Sequence, residues 1–165
     1  MTRSFSSAAF SAAVSVRPSG ADIVAHPAFS ARIVNEPRLE WWRDVIERLE
    51  ELCKLEPGWD GYSAPPLSFS NAYFAASVLA SACPPDAPKP EIVPGPNGDL
   101  QIEWHTSSTD IELDIHAPYD VHAWRLGPMT AEEGEEDNLT SDFRIVARWL
   151  VEMSESARAA HPTAA

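Results

Sequence analysis

Apolar and polar residues alternate most regularly in "LQIEWH" and "DIELDIH", two segments joined by "TSST" between residues 100 and 116. This period of two is typical of strands with one buried face. A hairpin that places His105 opposite Asp110 also pairs Trp104 with Ile111. The same register puts the apolar side chains of both strands on one face: Leu100, Ile102, Trp104, Ile111, Leu113 and Ile115. Because one register satisfies both segments, the sequence predicts an antiparallel hairpin.

Shorter apolar segments on both sides extend this hairpin. "EIV" precedes the turn sequence "PGPNGD" and predicts a short edge strand. "APYD" predicts a second turn, after which His116 would pair with Val121. That pairing places Arg125 beside Glu112 on the polar face, and it places these side chains on the apolar face: His122, Trp124 and Leu126. A three- to four-stranded antiparallel meander follows.

Helical periodicity marks three other segments. Residues 38–54 carry apolar side chains at spacings of three and four, as an amphipathic helix does. Ser68 or Ser70 is suited to cap a second helix, which "CPPDAPKP" ends. Thr140 or Ser141 is placed to cap a third, and its apolar stripe runs along Phe143, Val146, Leu150 and Met153.

These elements predict an α+β fold, in which two or three helices cover one face of the meander. The main domain is expected over residues 37–160, after a flexible or extended segment 1–36 and before a frayed tail 161–165. The acidic stretch "EEGEED" at residues 132–137 is expected to be a solvated, mobile loop.

The net charge of -13 narrows the range of partners. Such a chain repels nucleic-acid phosphates and anionic membranes, and it attracts basic proteins. No apolar run approaches the ~18 residues of a membrane span. The sequence therefore predicts a cytoplasmic protein with a basic protein partner, without direct nucleic-acid or membrane binding, and leaves the oligomeric state undefined. Cys53 and Cys83 are expected to be free thiols rather than a disulfide.

The polar face of the hairpin is the first candidate site. Glu103 is predicted directly opposite Glu112, with His105 and Asp110 in the next pair and Asp114 nearby. Facing like charges are unfavourable, so something is expected to offset them. Three alternatives are Arg125 as an internal countercharge, a divalent metal and a basic partner. A metal would take Glu103, His105, Asp110 and Glu112 as ligands.

The loop "PGWDGY" at residues 57–62 is the second candidate site. Asp60 and Gly61 predict a tight turn, with the carboxylate accepting backbone N–H bonds and the glycine at positive φ. In a structural role, Trp59 and Tyr62 would point inward and hold the loop between the helices. In a binding role, Trp59, Asp60 and Tyr62 would form a recognition patch.

The loop and hairpin together resemble a small bacterial family that carries L-x-P-G-W-D-G-Y-x-A-x-P before a Q-I-E-W strand. Here the motif reads "LEPGWDGYSAPP" at 55–66 and "GDLQIEWH" at 98–105, followed by "DIELDIH" at 110–116. The resemblance covers about half of the chain, over residues 40–117. It implies a bacterial or phage origin and an intracellular setting, and it supplies no catalytic residues.

Motifs for the common reaction types are missing from the sequence. It contains no Cys-x-x-Cys, no Gly-x-Ser-x-Gly and no histidine pair at the i, i+4 spacing of zinc proteases. The sequence thus favours a non-enzymatic interaction protein without a cofactor, resembling an antitoxin, an immunity protein or an inhibitor. The predicted partner-binding residues are Trp59, Asp60, Tyr62, Glu103, Asp110, Glu112 and Asp114. A metal-dependent hydrolase and a structural or regulatory subunit are the alternatives.

Overall fold

The structure is a computed structural model that describes residues 39–128 and 130–160. The sequence predictions for residues 1–36 and 161–165 lie outside these ranges. The described elements, in chain order, are α1 (Trp42–Cys53), α2 (Phe69–Ala82), β1 (Glu91–Pro94), β2 (Leu100–His105), β3 (Asp110–Ala117), β4 (Asp120–Leu126), β5 (Glu135–Leu139) and α3 (Arg144–Ala160).

The strands form one antiparallel sheet in the order β1-β2-β3-β4-β5, and α1, α2 and α3 pack against it. This arrangement confirms the predicted α+β meander with helices on one face. The meander has five strands, one more than the upper end of the prediction. Consecutive strands are neighbours throughout, so short turns are sufficient to connect them.

The central hairpin has the predicted register. His105 pairs with Asp110, Trp104 with Ile111, and Glu103 with Glu112. The six apolar side chains of the two strands are all buried on the helix side: Leu100, Ile102, Trp104, Ile111, Leu113 and Ile115. Burial of this continuous apolar surface favours a single register, because a slip of one residue would expose all of it.

The predicted pairing of β3 with β4 is wrong by one residue. Ile115, rather than His116, pairs with Val121, because His116 is the extra residue of a β-bulge before the turn. The slip exchanges the two faces of β4. Val121, Ala123 and Arg125 are therefore buried, and the opposite face carries the three residues that were expected in the core: His122, Trp124 and Leu126.

The acidic stretch at 132–137 is exposed, as predicted, but only its first part is a loop. Glu135–Leu139 forms β5, which pairs with β4 from Val121–Leu139 to Arg125–Glu135. Leu139 alone in this strand is buried. An edge strand with solvent on both faces needs no apolar alternation, so the period-two pattern gave no signal here.

The first residues of α1 and α3 differ from the predicted ones, whereas α2 has one of its two predicted caps. α1 begins at Trp42 instead of residue 38, and residues 39–41 form a turn in which the indole of Trp41 donates to the carbonyl of Ala87. Ser68 caps α2, since its hydroxyl accepts a bond from the backbone N–H of Asn71. Before α3, the carboxylate of Asp142 accepts a bond from the backbone N–H of Arg144.

Asn71 connects α2 to the sheet. Its side-chain amide is buried and donates to the carbonyl of Gly98 at 2.9 Å and to that of His116 at 3.3 Å. Gly98 lies in the β1–β2 turn, and His116 is the bulge residue of β3. One amide group thus satisfies carbonyls from two irregular parts of the sheet, where ladder partners are missing.

Candidate functional site

The sheet face opposite the helices, here called the open face, is built from alternate residues of all five strands. Its members are Glu91, Val93, Gln101, Glu103, His105, Asp110, Glu112, Asp114, His122, Trp124, Leu126, Glu136 and Asn138. All of these residues are half-buried or exposed. No described helix packs over them, and the loop before β5 contacts this face at Trp124 through Glu133 and Gly134.

A row of directly paired residues crosses the open face. Glu91 pairs with Glu103, and Glu103 with Glu112; Trp124 and Glu136 continue the row on β4 and β5. The predicted group Glu103, Asp110, Glu112 and Asp114 therefore shares one surface. Glu91 and Glu136 extend it: Glu91 was missed because it lies on an edge strand, and Glu136 belongs to the acidic stretch that was expected to be a loop. Like charges that pair directly across strands cost a few tenths of a kcal/mol each, roughly.

Arg125 does not offset these charges, contrary to one of the predictions. It lies on the helix side of the sheet, is only 6% exposed, and pairs with Glu152 of α3 at 2.6 Å. Within the described ranges, the remaining Lys and Arg side chains lie on or next to α1 and α3, or at Lys89, which pairs with Asp44. The described part of the open face therefore carries carboxylates without a Lys or Arg countercharge.

His105 takes the role of a local countercharge. Its Nε2 lies 2.9 Å from Glu103 and its Nδ1 2.9 Å from Asp110, and these two hydrogen bonds raise the pKa of His105 to about 9. The imidazole is therefore protonated at neutral pH. Both ring nitrogens donate to carboxylates in this state, so neither has a lone pair available to a metal. Within the described ranges, no three His, Cys, Asp or Glu side chains are arranged to hold a metal ion.

Glu112 lies at the centre of the open face, in an environment that disfavours its charge. Partial burial raises the pKa of Glu112, and the nearby charges of Glu103 and Asp114 raise it further. The amide of Gln101 donates to its carboxylate at 3.0 Å. A carboxylate that is partly buried beside other negative charges occurs in binding and catalytic sites as well as on charged surfaces.

A second histidine joins β3 and β5. His122 Nδ1 lies 3.6 Å from Asp114, and its Nε2 lies 3.5 Å from Glu136. The sequence had predicted His122 in the core, so the one-residue slip in β4 is also what concealed this contact. The bulge at His116 is the feature that would have revealed it.

The loop at 57–62 forms the predicted tight turn. The carboxylate of Asp60 accepts bonds from the backbone N–H groups of Tyr62 at 3.0 Å and Ala64 at 3.1 Å, and these bonds lower the pKa of Asp60. Gly58 and Gly61 have φ of +84° and +83°, where L-residues are strained.

The two aromatic residues of this loop do not both point inward. Trp59 is half-buried and its indole donates to the carbonyl of Pro65, so it closes the loop upon itself. Tyr62 is 89% exposed, so the inward orientation expected for its structural role is wrong. Trp59, Asp60 and Tyr62 share one loop, but that loop belongs to the α1–α2 connection and not to the open face.

Both cysteines are free thiols, as predicted. Cys83 ends α2, where burial raises its pKa to about 12. Such a thiol is a poor nucleophile near neutral pH.

Among the helices described here, none combines the length and apolar character that crossing a bilayer requires.

The fold and the geometry of the open face can be compared with known proteins. The chain matches no protein-family model, no curated protein and no solved structure.

Proposed function

We propose that the open face is a docking surface for a basic region of a partner protein, and that the chain acts through binding rather than catalysis. One observation carries the proposal: carboxylates from four strands share this surface, and no Lys or Arg of the described residues neutralises them. A partner's Lys and Arg side chains would supply the missing charge. Charge of this kind steers encounter and selects the partner.

The surface also contains the apolar groups that binding requires. Val93, Trp124 and Leu126 lie among the carboxylates, and the indole of Trp124 is held by a hydrogen bond to the carbonyl of Glu133. Interfaces combine a few aromatic anchors with a polar rim. A second copy of this chain would bring carboxylates against carboxylates, so the charge pattern favours a different protein. An antitoxin-like, immunity-like or inhibitor-like role would use the open face in this way.

The metal-dependent hydrolase is a weaker candidate. Its proposed ligand His105 has a carboxylate at each ring nitrogen, and Glu112 is engaged by Gln101. These side chains are better described as hydrogen-bonded to one another than as the ligands of a metal ion.

A charge-neutralised variant tests the proposal. In Glu103→Gln/Glu112→Gln/Asp114→Asn, the open face loses its central carboxylates and keeps its shape. Partners captured from the native host by the unmodified chain would be identified, and the association rate of each would be measured against salt concentration. We expect the variant to associate at least about tenfold more slowly, with a flatter salt dependence.

A matched variant separates surface position from net charge. Glu40→Gln/Glu56→Gln/Glu155→Gln removes the same number of charges from exposed positions outside the sheet. It is expected to retain the association rate within about twofold, since these carboxylates are not part of the docking surface. Equal slowing by both variants, or by neither, would contradict the proposal. Tyr62→Ala tests separately whether the loop at 57–62 contributes to the same complex.

A further inference from the structure

A groove lies between α2, the β3–β4 turn and the start of α3, with a volume of about 400 Å³. Five aromatic rings line it: Phe69, Tyr73, Phe74, Tyr119 and Phe143. These are all three Phe residues and two of the three Tyr residues of the described ranges. Phe74 forms the floor, with its ring centroid 5.1 Å from that of Tyr119 and 6.0 Å from that of Phe143.

The groove is uncharged, although the chain carries a net charge of -13. Besides the rings, its lining consists of four serines, a valine and a proline. Neither a carboxylate, an amide side chain, an imidazole nor a cationic group is among the lining residues. This separates the groove from the open face and selects an uncharged ligand, because a charged one would lose its hydration without a countercharge.

Tyr119 is held in the groove by an unusual backbone. Its φ is +68°, the left-handed region that favours glycine at the second position of the two-residue turn Pro118–Tyr119. Tyr119 is nevertheless 64% exposed, and Tyr73 on α2 is 40% exposed. A residue in this strained conformation that is mostly in solvent is stabilised little by burial. Packing therefore does not explain why a tyrosine occupies this position.

The lining distinguishes between two uncharged ligands that stack on aromatic rings. A polyproline II segment presents flat pyrrolidine faces to aromatic grooves, and its carbonyl groups need donors while its prolines offer no N–H. The hydroxyl groups of Tyr119 and Ser141 are such donors, whereas those of Ser77 and Ser81 already donate to backbone carbonyls of α2. An oligosaccharide presents pairs of neighbouring hydroxyl groups, which planar carboxylate and amide side chains bind best, and the groove has neither.

We infer that this groove binds an extended, uncharged, proline-rich peptide segment. The pyrrolidine rings pack between Tyr73 and Tyr119 above Phe74, and the hydroxyl groups of Tyr119 and Ser141 donate to the peptide carbonyls. The inference is independent of the open face, because the two surfaces share no residue.

A capped oligoproline peptide provides the test, in an NMR titration of the full-length, isotope-labelled chain. We expect saturable shifts confined to the groove residues, and no such shifts with a capped Gly/Ser peptide of equal length. Tyr119→Gly removes the ring at a position where glycine is unstrained, so the turn is preserved. Binding should weaken by about tenfold or more in this variant. Tyr73→Ala is expected to act in the same direction.

Tyr62→Ala is the matched control, since Tyr62 is the third described tyrosine and lies in a separate loop. It should leave the affinity unchanged. The inference fails if the oligoproline produces no shifts, if the Gly/Ser peptide binds equally well, or if Tyr119→Gly binds as the unmodified chain does. Preferential binding of a neutral oligosaccharide at the same residues would also overturn it.

Discussion

The guanidinium of Arg125 on β4 and the carboxylate of Glu152 on α3 form an ion pair at 2.6 Å beneath the sheet. The guanidinium lies 6.0 Å from the centroid of the Trp149 ring, and its Nε has no hydrogen-bond partner among the described residues. The pair attaches the last helix to the sheet. It also removes from the open face the one arginine that the sequence had placed there.

Removing the charge of Glu152 is expected to cost more stability than replacing Arg125. Glu152→Gln leaves a buried guanidinium without a countercharge and should lower the free energy of unfolding by about 2 kcal/mol, less than a fully buried pair because Glu152 is half exposed. Arg125→Met replaces the buried charge with an apolar chain and should cost about 1 kcal/mol or less. Urea unfolding measures both, with Glu155→Gln on the exposed side of α3 as the reference. A larger loss in Arg125→Met would contradict the expectation.

The pair of carboxylates around His105 predicts a pH-dependent contribution to stability. The pKa of His105 is about 9 in the folded chain and 6.5 in a free imidazole. Its contribution is therefore complete below pH 6.5 and is lost as the pH rises through about 9. His105→Gln should be less stable than the unmodified chain by about 0.5 kcal/mol at about pH 6, a small value because the ring is half exposed.

NMR titration of the His105 ring protons tests the cause of this shift. Glu103→Gln should move the midpoint towards 6.5, since the bond to Glu103 contributes most. Glu47→Gln on α1 should leave it in place. A midpoint of 6.5 in the unmodified chain would refute the assigned bonds.

Glu112 is expected to favour binding at the expense of stability. Its raised pKa means that the folded chain holds a proton more tightly than the unfolded chain, so stability falls as the pH rises above the ordinary value of 4.5. Glu112→Gln should therefore increase stability at neutral pH by a few tenths of a kcal/mol, roughly. The same variant should slow association with the basic partner. Thermal unfolding and binding kinetics would be compared, and a loss of stability would contradict the prediction.

Asn71→Ala is expected to destabilise the fold. It leaves the carbonyl of His116 without its side-chain donor and that of Gly98 with only the backbone N–H of Ser68, which should cost about 2 kcal/mol. Ser77→Ala, on the exposed side of the same helix, is the reference and should change stability by less than about 0.5 kcal/mol. Equal effects of the two substitutions would show that the buried amide is dispensable.

The central hairpin could be predicted from the sequence because two independent alternations agree on one register. The strand after it could not, because its alternate residues offer two plausible faces. His122, Trp124 and Leu126 are the more apolar set by composition, and Val121, Ala123 and Arg125 are the buried set. The bulge at His116 decides between them, and it depends on the local turn geometry of Pro118 and Tyr119 rather than on periodicity.

The candidate site could be predicted only in part, because it depends on the same strand pairings as the fold. Its carboxylates on β2 and β3 follow from the hairpin register, and their pairing was confirmed. Glu136 and the contact of His122 with Asp114 depend on β5 and on the shifted β4, which the pattern did not reveal. The aromatic groove joins residues from α2, the β3–β4 turn and the start of α3. No local sequence pattern connects positions so far apart.

The two edge strands of the sheet, β1 and β5, are poorly suited to pair with the edge strand of another copy of this chain. β5 presents Glu135, Glu136 and Asp137 in succession, and β1 has four residues and ends at Pro94, which lacks an N–H group. Neither border is a good template for strand addition by a neighbouring molecule. Fibril growth through these borders is thereby suppressed at neutral pH, and this protection weakens in acid, where the carboxylates lose their charge.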